Sequence, residues 1–208
     1  MSNFIILFLI ASALFITIEV LQRKVFKKIL WSRKATHISL GLFVLILPNY
    51  LSKWEIVLMA LVFTLTLLIS RVRHILSLHN IKRHSWGEVF YPISVGILAL
   101  VCLPDYINAF YAGILCLALS DASAAMVGGV MPIKQIRFGK HTKTVGGVAG
   151  FFVVTVCILS IIYLPLGGDF FTLIIIALIL SLSELITFYG SDNLVVPIVA
   201  AILLMWWI

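Results

Sequence analysis

The stretch YINAFYAGILCLALSDASAAMVGG, residues 106–129, decides the fold. It is apolar over more than the ~20 residues that a helix needs to cross a bilayer, and its single formal charge is Asp121. The rest of the chain repeats the pattern. Of 208 residues, 62% are hydrophobic and 11% charged, and the mean hydropathy is +1.19. Soluble domains run about 45–50% apolar and about 25% charged. Too few polar side chains remain to cover a water-facing surface, which excludes a soluble fold. Apolar runs broken by charge, Gly or Pro predict spans near 3–21, 37–52, 54–70, 88–104, 106–129, 145–166, 170–190 and 193–208. The expected fold class is an all-α integral membrane protein, one polytopic domain over 1–208 built as a bundle of about eight transmembrane helices.

The charges orient this bundle. Fourteen of the fifteen Lys and Arg residues fall in three connections, Arg23 to Lys34, Arg71 to Arg83 and Lys134 to Lys143. These are the first, third and fifth connections, which share a side when the spans alternate. The positive-inside rule makes that side cytoplasmic and puts the N-terminus outside. The formal charge of +7 is then a topological signal, and a nucleic-acid partner is not expected because no folded domain surrounds the basic runs. The mixed apolar and basic run 71–84 predicts a helix lying in the interface. Ala11-Ser12-Ala13 resembles a cleavage site, but no basic region precedes it and the apolar run continues to Val20, so a retained helix is expected. Cys102, Cys116 and Cys157 form no CxxC pair, and neither a disulfide framework nor a zinc site is indicated. No internal repeat stands out.

Two carboxylates interrupt the apolar spans, Asp121 and Glu184. A charge at a helix centre costs about 2.5–3.5 kcal/mol on the insertion scale, which marks both as candidates for function. Both lie toward the cytoplasmic ends of their spans, where Glu88 and Asp192 edge spans four and eight, so four acids are expected at one level. Asp121, Ala124, Ala125 and Gly128 share a helix face. That face is either a tight helix contact or the wall of a phosphate site with Asp121 holding a metal. The fifth connection brings Lys134, Arg137, Lys140 and Lys143 to its mouth and ends at Thr144 and the glycines 146, 147 and 150, where helix-start N–H groups can face an anion. Arg33 and Lys34 sit at helical spacing from His37, a candidate phosphate contact or proton carrier. Lys134 stands where the first Gly of a P-loop would be and His141 follows Gly139-Lys140, so P-loop chemistry is excluded.

Together these motifs resemble the integral-membrane family that contains dolichol kinase, phytol kinase and the CTP-dependent diacylglycerol kinases, with a remoter likeness to CDP-diacylglycerol synthases. The carrying segments are Arg33-Lys34-Ala35-Thr36-His37 with Gly41, Gly87-Glu88-Val89-Phe90-Tyr91-Pro92, Ser120-Asp121-Ala122-Ser123-Ala124 through Gly128, Lys143-Thr144-Val145-Gly146-Gly147, and Glu184 followed by Gly190-Ser191-Asp192-Asn193-Leu194-Val195-Val196-Pro197. The chain departs from the family's pattern at Ser120, where Gly is common, at Gly146, where Glu is common, and at Gly129, where Arg or Lys is common.

The resemblance implies phosphoryl transfer from CTP, or another nucleoside triphosphate, to the hydroxyl of a polyprenol, phytol-like alcohol or diacylglycerol at the cytoplasmic face of the cell (plasma) membrane. On this reading Arg137, Lys140 and Lys143, with Arg33, Lys34, Thr144 and Gly128, hold the triphosphate. Asp121 with Asp192, beside Asn193, binds Mg2+, and Glu88, Glu184 or His37 orients or deprotonates the alcohol. A lipid-phosphate cytidylyltransferase would use the same cations and metal. A transporter would instead place its acids near the midplane with access from both sides, and an inactive homologue would use none of them. Apolar helix faces bind long chains nearly alike, so the sequence does not name the lipid.

Overall fold

The computed structural model describes residues 2–24, 29–73, 85–138 and 141–207. Eight helices form among them: α1 (Ser2–Lys24), α2 (Ile29–Val44), α3 (Lys53–Arg73), α4 (Gly87–Cys102), α5 (Ile107–Val130), α6 (Val145–Ile162), α7 (Phe170–Ile186) and α8 (Asp192–Trp207). Short 3-10 turns, Leu47–Asn49 and Leu164–Leu166, close two of the connections. Ser2–Leu21, Lys53–Arg73, Ile107–Val130 and Val145–Leu166 are long and apolar enough to cross a membrane, and α4, α7 and α8 are shorter apolar helices. This is a multi-pass membrane protein.

Helices are the natural state of these runs because they satisfy every backbone N–H and C=O internally, as an apolar environment requires. Their ends carry local caps. Thr144 accepts from the Gly147 N–H at 3.1 Å to start α6, and Asp169 accepts from the Thr172 N–H at 2.9 Å to start α7. The bonds to Thr172 also lower the exposed Asp169 carboxyl from its ordinary pKa. The core is apolar and gathers on α4 to α8, where Leu98, Phe110, Leu117, Phe151, Leu180 and Leu204 are fully enclosed. Helix α1 is peripheral. It leans on α3 through Phe8 and Phe63, rings 5.6 Å apart, and leaves Ile5, Ile6 and Leu9 exposed on its outer side.

Helix α5 is not regular. At Cys116–Ser120 it widens into a single π-turn, closed by the Asp121 N–H on the Cys116 carbonyl. Such turns insert one residue and re-aim the side chains that follow, often at functional sites. The widened turn is buried and receives α2 so closely that a Cβ on Gly41 would lie 2.4 Å from the Ala118 Cβ and 2.9 Å from the Tyr91 hydroxyl. Gly41 is therefore what lets α2 bring its polar first half against Asp121.

The structure corrects the expected elements in three places. The second helix starts at Ile29 and ends at Val44, instead of running 37–52, so Arg33 and Lys34 stand on a helix and not in a connection. A charged residue remains helical in an apolar bundle when a partner awaits it, as Asp121 awaits Lys34. Arg71 and Arg73 likewise complete the last turn of α3. The fold is also not purely helical, because the fifth connection contains an antiparallel hairpin, β1 (Gln135–Phe138) with β2 (His141–Thr144), in the register Gln135 opposite Thr144. β1 alternates polar and apolar residues, Gln135-Ile136-Arg137-Phe138, as a strand does, while β2 is polar throughout. The interfacial helix expected over 71–84 lies largely outside the described residues.

Candidate functional site

A cavity of about 350 Å³ opens at the end of the bundle where the basic connections enter. Three helix N-termini converge on it: Ser85 just ahead of α4, Thr144 with Gly147 at the start of α6, and Asp192 with Asn193 at the start of α8. Each N-terminus presents partial positive charge and backbone donors, the combination that favours anions. Gly190 makes the convergence possible. It has φ +88°, and a Cβ there would lie 2.3 Å from the Gly87 nitrogen. Across this contact the Trp86 N–H donates to the Tyr189 carbonyl at 2.7 Å and the Asn193 Nδ2 donates to the Gly87 carbonyl at 2.8 Å. Asn193 thus ties two of the three N-termini together.

Four of the charged side chains of the cavity form two pairs. Lys34 Nζ lies 2.5 Å from Asp121 Oδ2, and His37 Nδ1 lies 3.8 Å from the same oxygen. Lys143 Nζ lies 2.7 Å from Glu184 Oε1 and also donates to the Glu184 carbonyl, the end of α7. A paired charge is far cheaper to hold in an apolar bundle than an isolated one. Asp192 is the third carboxylate of the cavity and accepts from the Asn193 N–H at 3.0 Å. Among the described residues the lining therefore offers three carboxylates against two lysines.

The small-residue face of α5 serves both packing and the cavity. A Cβ on Gly128 would meet Thr144 Oγ1 at 2.7 Å and the Gly147 Cα at 3.3 Å, so these glycines let α5 and α6 touch. Ala124, Ala125 and Gly129 continue the face as cavity wall, and nothing lies within 4 Å of a Cβ built on Gly129. Gly146 is enclosed instead, with the Met131 carbonyl 2.3 Å from its would-be Cβ. Ser120 is fully buried and accepts from Thr155 Oγ1 at 2.9 Å.

Of the residues singled out in the sequence, Lys34, His37, Asp121, Gly128, Lys143, Thr144, Glu184, Asp192 and Asn193 all line this cavity. Arg137 stands exposed on β1. Lys140 and the side chain of Arg33 lie outside the described part. The four acids do not form one set. Glu88 is drawn aside by Arg71, whose Nη1 donates to Glu88 Oε1 at 2.8 Å and to the Ser85 carbonyl at 2.6 Å while its guanidinium lies 4.2 Å from the Trp86 ring centroid. Sequence reasoning gave Arg71 only a topological role, and no spacing signal links it to Glu88. It gives no place to Glu19, a carboxylate inside the first apolar run that the structure buries, and no role to Tyr91 beyond its motif. Tyr91 donates to the His37 carbonyl at 3.0 Å and packs edge-on against the His37 ring at 4.8 Å.

The helical bundle thus carries at its basic end a polar cavity lined by paired Lys and carboxylate side chains and by helix N-termini. The chain is 30% identical over 211 residues, 92% of its length, to phytol kinase of Synechocystis sp., of which it covers 85%. It belongs to the phytol kinase family, the family its motifs resemble. No family model and no solved structure matches it.

Proposed function

We propose that this protein is a membrane lipid-alcohol kinase that transfers the γ-phosphate of CTP, or another nucleoside triphosphate, to the hydroxyl of a polyprenol, phytol-like alcohol or diacylglycerol. The observation that carries this is the meeting of Lys34, Lys143 and three helix N-termini with Asp121 and Asp192 around one cavity. Membership of the phytol kinase family supports it. The lysines and N-terminal amides would take the polyphosphate. An excess of carboxylates over lysines suits an anion that arrives with a divalent cation.

Mg2+ fits these residues. It is usually held by one or two carboxylates together with substrate phosphates, not by an all-protein cage, and among the described residues no group of three or more His, Cys, Asp and Glu forms one. Asp121 and Asp192 would hold it, and when bound it supplies charge neutralisation on the phosphates. The chain's own residues do the rest. Lys34 and Lys143 leave their carboxylates for the phosphates, and His37 or Glu184 orients the hydroxyl and takes its proton as the new O–P bond forms and the bond to the departing nucleoside diphosphate breaks. Positioning and electrostatics supply most of the rate in phosphoryl transfer.

The test follows the phosphates. Purified protein with Mg2+, nucleotide labelled at either the γ or the α position, and a panel of prenols, diacylglycerol and lipid phosphates should yield nucleoside diphosphate and an organic-soluble lipid labelled from the γ position, without pyrophosphate. Label entering only from the α position would establish a cytidylyltransferase, and no transfer to any acceptor would favour a transporter or inactive homologue.

The proposed orientation places the N-terminus outside and the cavity at the cytoplasmic face, since the basic connections surround its mouth. Cysteines introduced for Gln135 in the hairpin and for the exposed Asp105 in the turn after α4 are expected to react with an impermeant thiol reagent from opposite sides of the membrane. Labelling from the same side would refute the alternation of helices.

A further inference from the structure

We propose that the acceptor alcohol is held, by the carbons nearest its hydroxyl, in a second cavity enclosed by α1 to α4, with His37 as the wall between it and the nucleotide cavity. The inference rests on the kinase reading and gives it an acceptor site. A separate space of about 70 Å³ lies beside the larger cavity, and His37 lines both. Most of the surface this space presents is apolar, from Phe15 of α1, Leu40 of α2, Phe63 and Leu67 of α3 and Pro92 of α4, with Thr36, His37, Glu88 and Tyr91 completing the lining.

Each of these helices changes character in the same direction. One turn nearer the basic end from Phe15 is Glu19, from Leu40 are Thr36 and His37, from Leu67 is Ser70, and from Pro92 is Glu88. All but His37 are buried polar side chains, and Thr36, His37 and Glu88 line the space itself. Four helices thus build an apolar compartment with a polar layer at the end that adjoins the nucleotide. This matches a molecule with one polar terminus and an apolar tail. His37 faces the polar layer on one side and Asp121 on the other, so a hydroxyl reaching it from the small cavity approaches the site where a terminal phosphate would lie.

Size narrows the ligand. An apolar cavity of about 150 Å³ admits a benzene ring, so this one takes only the first few carbons of a single chain. The two ester groups beside the hydroxyl of a diacylglycerol would need both more room and more polar partners than the apolar walls supply. The remainder of a long primary alcohol would run outward past α1, the peripheral helix whose outer side is exposed.

The experiment is photolabelling of the full-length protein in lipid nanodiscs with a long-chain primary alcohol that carries a diazirine near its hydroxyl. Labelled peptides are expected at 15–19, 36–40, 63–70 and 88–92, with labelling suppressed about tenfold by excess unlabelled alcohol, as for a saturable site. Leu67→Trp fills the space and should raise the KM for alcohol about tenfold while the nucleotide KM is unmoved. Leu67→Ala, which widens it, should relax the preference against branched or two-tailed acceptors and covers the case in which Trp is not accommodated. Labelling spread without competition over bilayer-facing positions, or alcohol kinetics unchanged in both variants, would overturn the proposal. If the protein transfers phosphate but is labelled elsewhere, the acceptor site fails and the kinase reading stands. If it is labelled here but transfers no phosphate to any alcohol, the site stands and the kinase reading fails.

Discussion

Asp121→Asn is expected to remove phosphoryl transfer while the protein continues to insert and fold. Asp121 is the carboxylate on which the site is assembled. It begins the helical turn after the π-turn, lies 2.5 Å from Lys34 and 3.8 Å from His37, and faces the cavity that the helix N-termini enclose. An amide keeps the shape and still accepts a hydrogen bond from Lys34, but supplies no charge for a cation. Removing one preorganised electrostatic group costs about 10²–10³-fold in turnover, and a lost metal ligand should cost at least that. Folding should suffer little, because Lys34 is the less buried partner and can extend toward the open cavity, while a neutral side chain eases insertion. Turnover with γ-labelled nucleotide, set beside monodispersity and thermal unfolding in detergent, checks this. Loss of folded protein with normal specific activity in the remainder would make Asp121 a structural counter-ion only.

Lys34→Met is expected to be the most destabilising single change at the site. It leaves the Asp121 carboxylate buried in the bundle without its nearest cation, and breaking a buried pair from one side costs about 3–5 kcal/mol. The second substitution then acts in the opposite sense. Asp121→Asn placed on Lys34→Met removes the stranded charge and should recover most of the lost stability, as a double-mutant cycle on thermal or denaturant unfolding would show. Neither variant should transfer phosphate, since both lack a phosphate-facing cation. If the double variant is no more stable than Lys34→Met alone, the pair seen in the structure contributes nothing to folding.

The apolar stretches, the two intramembrane acids and the Lys143-Thr144 start of α6 were all legible in the residues, because each is a local signal. A bilayer admits little but helices, so apolar length alone locates all but the second of them to within a few residues. A carboxylate in such a run is expensive wherever it lies, so Asp121 and Glu184 stood out before any partner was visible. Glu19 carries the same signal near the end of the first run and was passed over. The second helix departs from its expected place for a physical reason. Arg33 and Lys34 look alike in sequence whether they end a loop or sit on a helix opposite a partner, and only the contact with Asp121 distinguishes the two.

Composition, apolar runs and charge asymmetry by themselves determined that this chain is a helical membrane protein and marked its basic end as the place to look for a site, since those properties follow from the cost of each residue in or out of a bilayer. Which helices meet was decided only in three dimensions. Gly41 lets α2 reach the π-turn, Arg71 takes Glu88 out of the acid cluster, and Gly190 lets the starts of α4 and α8 touch. These outcomes depend on fits of a few ångströms between residues up to about a hundred positions apart, and no spacing along one helix encodes which face of another will fill it.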